Sequence, residues 1–505
     1  VTLTVRHILI RILTVLAWLS TTALSQSPAL SQTSPIGRTV PGRFIVTYRN
    51  GAIPATPRLA GAKLLQRHER LGVAILQVAP ANADQTRTTL AADPAVQYVV
   101  EDRVVSASSL TVRPAAISSS ESDALYNSPQ GWAVRQVGGF GTASDPGPWN
   151  RTTGKGVRIA ILDSGVDATH PDIAPNLALN LSEVDLSAAT GLPSPCDDGS
   201  PQDQQGHGSW SASLAAAATG PDTGLVAGVA PSATVLNIKV LERMPSAAGD
   251  CASGEASGLL SWVLAGIEDA VANGADIVSM SLGTLIDITT GEGAGLQATF
   301  DHVTHAAANA GVILIAAAGN DGFNLSNQRY IELPAQSRDV LAVVASTNPA
   351  CAENLIANAA CTPGPITLPY YSNYGTPLNA LAAPGGSYPA GPANDPTQPS
   401  GWIYGACSTG LPSNPQSYGC FGLGHAAYVQ AMGTSASAPL AAGAAALILA
   451  ANPTWTAEAV VSAMRSAALP IATLPAPQIS VTALLSPPTP PAPPQDQHQV
   501  TKPQR

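Results

Sequence analysis

Between Gly154 and Ala451 short β-branched runs alternate with longer alanine-rich ones, and that alternation restricts the chain to few architectures. Val157 to Leu162, Val235 to Leu241, Ile277 to Leu282, Val312 to Ala317 and Val340 to Ala345 are short β-branched runs that read as strands buried on both faces. Ser211 to Ala218, Ser257 to Asn273, Leu296 to Ala310 and Ser435 to Ala450 read as helices, with Gly274 and Gly311 as C-terminal caps. Strands alternating with helices imply an α/β fold, a parallel β-sheet with helices on both faces. In such open sheets ligands bind beyond the carboxyl ends of the strands.

Three motifs fall at that edge. Asp163-Ser164-Gly165-Val166-Asp167 follows the first strand, Gly206-His207-Gly208-Ser209 precedes a helix, and Gly433-Thr434-Ser435-Ala436-Ser437-Ala438-Pro439 opens the last one. A serine hydroxyl is a weak nucleophile near neutral pH, so acyl transfer needs an imidazole to take its proton and a carboxylate to orient the imidazole. Ser435, His207 and Asp163 are those three groups. Taken singly, Asp163 could be a helix cap and Asn320 a turn residue before Gly322, but those readings leave the convergence of the motifs unexplained. Pro439 is tolerated if it lies in the first turn of its helix.

The order Asp, His, Ser is that of subtilisin, whereas chymotrypsin runs His-Asp-Ser and α/β-hydrolases run Ser-Asp-His. From roughly Trp132 to Arg465 the chain resembles the subtilisin-type (subtilase) serine peptidases. Ser281-Leu282-Gly283 is similar to the family's substrate-binding strand, and Ala317-Ala318-Gly319-Asn320 to the segment that carries its oxyanion-hole asparagine. Pro334-Ala335 and Ala383-Pro384-Gly385 fall where the family has similar turns. The resemblance implies an endopeptidase in which Asn320 and the Ser435 N–H stabilise the oxyanion, with no cofactor required for catalysis. Ser281, Leu282 and Gly283 would border the S1 pocket together with Ala317, Ala318 and Gly319, and their small side chains suggest an apolar P1 residue of medium or large size. The segment after His207 departs from the usual family pattern with Ser209, Trp210, Ser211, Ala212 and Ser213, which bears on helix packing more than on proton transfer.

Structural calcium is common in the family, and the acidic loop from Cys196 to Asp203 could contribute to such a site. That loop lacks EF-hand spacing, so its carboxylates read as solvated and no metal ligand is assigned. A competing serine esterase would need a G-x-S-x-G elbow, which is missing, and a catalytically silent binding module would need a damaged triad.

The 505 residues are 45% hydrophobic and carry a net charge of −10, which excludes nucleic acid or an anionic membrane surface as the main partner. Arg6 and Arg11 precede an apolar run from Ile12 to Ala23, and Ala23-Leu24-Ser25 offers small residues for cleavage, so residues 1–25 read as a secretory signal. The run is shorter than the roughly 20 residues that span a bilayer, and no stable membrane anchor is expected. Residues 26–121 read as a propeptide: Arg43 to Tyr48 and Val96 to Asp102 are strands around a helical stretch, with an inhibitor-like core over about 40–105. The resemblance makes this segment an intramolecular inhibitor, cut after Asp102 within an exposed linker of small residues from Ser106 to Ser122. Residues 122–485 form the catalytic domain, expected to act as a monomer on polypeptides, and the proline-rich residues 486–505 form a tail. Six cysteines suit an exported chain. Cys351 with Cys361 and Cys407 with Cys420 are local pairs that leave Cys196 for Cys251, although the sequence does not choose among the other connectivities.

Overall fold

The computed structural model describes residues 37–485 apart from 55–60, 108–110, 116, 118, 139–146, 185–193, 247, 328, 349–365, 388–400 and 412–417. Cys351 and Cys361, the expected signal and the expected tail therefore lie outside the described residues.

The chain begins with an antiparallel sheet built from β1 (Thr39–Tyr48), β2 (Lys63–His68), β3 (Val73–Gln77) and β4 (Val96–Ala107), backed by α1 (Ala83–Ala91). Phe44, Val46, Ala74 and Leu76 fill a small core against Leu90 of α1. A short β5 (Thr111–Pro114) and α2 (Trp132–Gly138) lead into the main layer. Its strands and helices follow in order as β6 (Arg158–Asp163), β7 (Leu177–Ser182), α3 (His207–Ala216), β8 (Thr234–Lys239), β9 (Leu241–Arg243), β10 (Ala256–Leu259) and α4 (Leu260–Ala272). They continue as β11 (Ile277–Met280), β12 (Leu282–Asp287), α5 (Gly291–Asn309), β13 (Ile313–Ala317), β14 (Tyr330–Leu333), β15 (Val340–Ser346) and β16 (Leu381–Pro384). Last come β17 (Ile403–Ala406), β18 (Tyr428–Met432), α6 (Thr434–Ala451), α7 (Ala457–Ala467) and the short α8 (Thr482–Leu485).

Seven of these strands form the expected parallel sheet, in the order β16-β15-β13-β11-β6-β8-β7. Successive residues of each strand face opposite layers. Ile159 and Ile161 of β6 pack with α2, α3 and α6, while Ala160 and Leu162 pack with α4 and α5. That division explains why these strands read as buried on both faces. The outer strands β7 and β16 escaped the sequence reading, the first because it is half-exposed and the second because it is four residues long.

Several expected boundaries move. Ser257 to Leu259 belong to strand β10, not to the helix, because β4 and β9 hydrogen-bond to its two edges and outweigh the weak helical preference of a Ser-Gly pair. The strand expected over Ile277 to Leu282 breaks at Ser281, after which β12 leaves the parallel sheet to pair with β14 and β4. The stretch beginning at Ser106 is not an exposed linker at its start: Ser106 and Ala107 are strand residues paired with Gly283 and Leu282.

Pro439 lies at the sixth residue of α6, beyond the first turn where it was expected. Proline removes the N–H that would bond to the carbonyl four residues back, that of Ser435. Ser281 Oγ donates to that carbonyl instead, at 2.9 Å, so the helix continues without an orphaned acceptor.

Residues Thr434 to Ile448 of α6 are all buried. Although α6 is apolar and long enough to cross a membrane, 83% of it is buried inside the fold, as in the core helix of a soluble domain. It approaches α3 closely at Gly443, where a Cβ would lie 2.6 Å from Val229 Cβ and 2.8 Å from the Ala215 carbonyl oxygen. Gly443→Ala, made in a Ser435→Ala background to prevent self-digestion, is expected to destabilise the protein by about 1–3 kcal/mol despite alanine's better helix propensity. Urea denaturation measures this, and an unchanged or raised midpoint would refute the close approach.

Candidate active site

The site is assembled where β6, β11 and β13 end and α3 and α6 begin. Asp163, the last residue of β6, is fully buried, and its Oδ1 accepts from His207 Nδ1 at 2.7 Å and from the Ser164 N–H at 2.7 Å. His207 opens α3. Its ring meets Trp210 and Phe421 edge-on, with centroids 5.9 and 6.2 Å away, and its Nε2 is buried without a hydrogen-bond partner.

A close contact between backbones fixes this pair. A Cβ on Gly208 would lie 2.0 Å from the Gly165 carbonyl oxygen, so only glycine lets the first turn of α3 press against the loop after β6. Asp203 locks the contact. Its Oδ1 accepts from Ser164 Oγ at 3.0 Å, the Gln205 N–H at 3.0 Å and the Gly206 N–H at 2.7 Å, and its Oδ2 accepts from the Ser209 N–H and Oγ at 2.9 and 2.7 Å. Ser164 Oγ in turn accepts from the Gly208 N–H at 2.9 Å. Burial pushes the Asp203 carboxyl above its usual range, with the hydrogen bonds opposing that rise.

Of the acids in this loop Asp198 is exposed, as the sequence suggested, while Asp197 and Asp203 are not solvated. Asp203 is fully buried, and Asp197 receives Lys239 Nζ at 2.8 and 2.9 Å and the Arg243 N–H at 3.0 Å. The Cys196–Cys251 disulfide closes over this network, and Cys407–Cys420 lies beside Gly206. Among the described residues no group of three or more His, Cys, Asp or Glu side chains converges to hold a metal ion.

Ser435 is the second residue of α6, where a helix has no internal acceptor for its N–H groups. Ser435 Oγ donates to the Ser281 carbonyl at 3.3 Å. Asn320, three residues beyond β13, accepts at Oδ1 from the Thr434 N–H and Oγ1, both at 2.9 Å. A backbone N–H can only donate, so the oxygen of Asn320 must face Thr434. Its Nδ2 is left buried and unpaired on the other side.

Leu282 and Gly283 present a strand edge, and β4 occupies it antiparallel, Ala107 opposite Leu282 and Ser106 opposite Gly283. Across β4 lies β10, with Ser257, Gly258 and Leu259 opposite Ser106, Val105 and Val104. Ala317 and Ala318 are buried at the end of β13, and Gly319 follows in a positive-φ turn. Beside the small residues of Gly283 and Gly319 the structure places an acid, the carboxyl of Glu332 from β14, which lies against both glycines. Glu332 is buried and its Oε2 has no partner, and burial followed by the nearby Asp321 pushes its carboxyl well above the usual range. The sequence reading missed both Asp203 and Glu332. The available signals were an Asp at turn spacing before a helix-opening Gly-His, and a lone charge inside the apolar run Tyr330 to Leu333.

A buried carboxylate, an imidazole with one nitrogen engaged and one open, a hydroxyl at a helix N-terminus and a free amide donor form an apparatus for acyl transfer. Comparison with known proteins agrees. Residues 154–498 match the model of the subtilase family. Subtilisin NAT of Bacillus subtilis subsp. natto is 30% identical over 364 residues, covering 72% of this chain and 68% of that protein. An extracellular protease of Xanthomonas campestris pv. campestris is 27% identical over 465 residues, covering 84% of this chain and 67% of the relative. The crystal structure of the epidermin leader peptide processing serine protease of Staphylococcus aureus shares the fold, with a TM-score of 0.59 and 17% identity over 88% of this chain and 97% of that one. The family match spans every strand and helix that brings Asp163, His207, Asn320 and Ser435 to one edge, and the chain belongs to the subtilase family as a subtilisin-like serine endopeptidase.

Proposed function

We propose that the protein is a secreted endopeptidase that works through Asp163, His207 and Ser435 and is made as a zymogen that cuts itself. The observation that carries the catalytic assignment is the pair of open groups, His207 Nε2 and Asn320 Nδ2, each fixed at its other end by Asp163 or Thr434. In the attacking rotamer Ser435 Oγ turns from the Ser281 carbonyl to His207 Nε2 and adds to the peptide carbonyl as Nε2 takes its proton. Asp163 keeps the proton of the neutral imidazole on Nδ1 and stabilises the imidazolium that forms. Asn320 Nδ2 and the Ser435 N–H donate to the oxyanion, where the dipole of α6 favours negative charge. His207 then protonates the leaving amine, and water hydrolyses the acyl-enzyme by the same steps. No metal enters this scheme.

Zymogen processing is supported by what lies on the substrate edges. β4 runs between β10 and β12 as an extended substrate would, and β5 pairs with β18, Thr111 opposite Met432, just before Ser435. The bond to be cut then falls between Ala107 and Thr111. The N-terminal sheet is tied down beside the site. Asp102 accepts from Arg43 at 2.9 Å and from the Ser261 N–H at 3.1 Å, placing a carboxylate at the N-terminus of α4. His68 reaches Glu268 at 2.6 Å, and Arg87 reaches Glu292 of α5 at 2.9 Å.

Three outcomes follow. Ser435→Ala is expected to abolish peptide hydrolysis, while Asn320→Ala keeps the fold and lowers kcat by roughly 10²–10³, the size known for such a donor in subtilisin. Steady-state assays on casein and short peptides decide this, and full activity in Ser435→Ala would overturn the triad. The wild-type protein is expected to mature to a chain whose N-terminus lies between residues 108 and 111, while Ser435→Ala stays uncut. N-terminal sequencing reads the result, and equal processing of both proteins in a protease-deficient host would refute self-cleavage. The isolated segment 26–105 is expected to inhibit the mature enzyme, and Asp102→Ala to weaken that inhibition by leaving Arg43 buried without its carboxylate.

A further inference from the structure

We propose that Glu332 makes the S1 subsite select a cationic P1 side chain, lysine or arginine. This inference rests on the peptidase reading above and names the substrate class of that site. The two walls of the subsite are the segments that end at Gly283 and Gly319, and the Glu332 carboxyl lies against both. A Cβ on Gly283 would sit 2.0 Å from Glu332 Oε1, and one on Gly319 would sit 3.0 Å from its Cδ and 3.2 Å from Oε2.

The side chain is held there from its backbone. Glu332 lies opposite Leu285 in the β12–β14 ladder, its N–H donates to Gln336 Oε1 at 2.9 Å, and its carbonyl accepts from the Gln336 N–H at 2.8 Å. Oε2 is buried and unpaired, and no cation among the described residues forms an ion pair with Glu332. The charged group that acts on it is another acid, Asp321, whose own carboxyl is engaged by Asn373 Nδ2 at 3.2 Å.

An aliphatic or aromatic P1 group would pack against an acid that still lacked a donor. An ammonium or guanidinium brings the missing N–H donors and a positive charge into a field set by two acids. The segment of this chain between Ala107 and Thr111 carries no cation. Its proposed cut is intramolecular, however, so tethering stands in for the contribution of S1.

The experiment uses mature enzyme and fluorogenic peptides with common P4–P2 residues and Arg, Lys, Gln, Ala, Leu or Phe at P1. Active enzyme in each variant is counted by fluorophosphonate labelling of the nucleophile, so that lost folding is distinguished from altered selectivity. The expected result is kcat/KM for Arg and Lys at least about tenfold above that for Leu, Phe and Ala. Glu332→Gln, which keeps the shape and removes the charge, should erase that ratio, and Glu332→Ala should invert it toward Leu and Phe. Wild-type preference for Leu, Phe or Ala would overturn the proposal while leaving the peptidase reading intact, as would a cation preference that survives in Glu332→Gln. If labelled wild-type enzyme cut none of the peptides and no casein, the peptidase reading would fall and this inference with it.

Discussion

The site depends on one buried carboxylate that takes no part in the chemistry, that of Asp203. Its five accepted hydrogen bonds join the loop after β6, the turn before α3 and the first residues of α3. Without it the Gly206, Ser209 and Gln205 N–H groups would be open donors at a helix N-terminus packed in the core, where water cannot reach them. Hydrogen bonds to a charged acceptor contribute more than neutral ones, about 1.5–3 kcal/mol each, and here they act on the two segments that carry Asp163 and His207. The 2.7 Å contact between those two residues is thus supported by a third side chain, that of Asp203.

The other half of the site hangs on α6. Its first two residues and the glycine before them are each tied to a different strand end: Thr434 to Asn320 beyond β13, Ser435 to Ser281 between β11 and β12, and Gly433 to Gly385 beyond β16. The Ser435–Ser281 tie exists because Pro439 withholds the usual helical donor from the Ser435 carbonyl. The residue that would be expected to damage the helix therefore frees an acceptor that anchors Ser435 to the chain between β11 and β12.

How much of this was legible follows from what each residue does. The parallel sheet showed as β-branched runs alternating with alanine-rich ones, and Asp163, His207, Asn320 and Ser435 showed because glycine-rich motifs surround them. Asp203 did not show: its neighbours Asp197, Asp198 and Gln202 look like solvated loop residues, and only the three-dimensional return of the loop onto α3 buries it. Glu332 was hidden for a related reason. Which strand lies beside Gly283 is fixed by the break at Ser281, and the sequence presents Ile277 to Leu282 as one uninterrupted strand. Boundaries such as Ser257 failed where pairing partners come from distant parts of the chain, since β10 is a strand through β4 and β9 rather than through its own composition.

A peptidase site must leave polar groups open, and open groups in a dry site are costly. His207 Nε2, Asn320 Nδ2 and Glu332 Oε2 are all buried and unpaired. At about 1–3 kcal/mol for each such group, three are a large fraction of the roughly 5–15 kcal/mol by which a domain is stable. The edges of β10 and β12 add backbone groups that also need partners. In this chain β4 pairs with both edges, while Asp102 caps α4 and Glu292 accepts from the Glu101 N–H and Arg87. The N-terminal sheet therefore offsets part of what the open site costs. Parallel strands from distant segments pair slowly. A strand carried on the same chain and already matched to the edges of β10 and β12 gives those strands a partner before any substrate arrives.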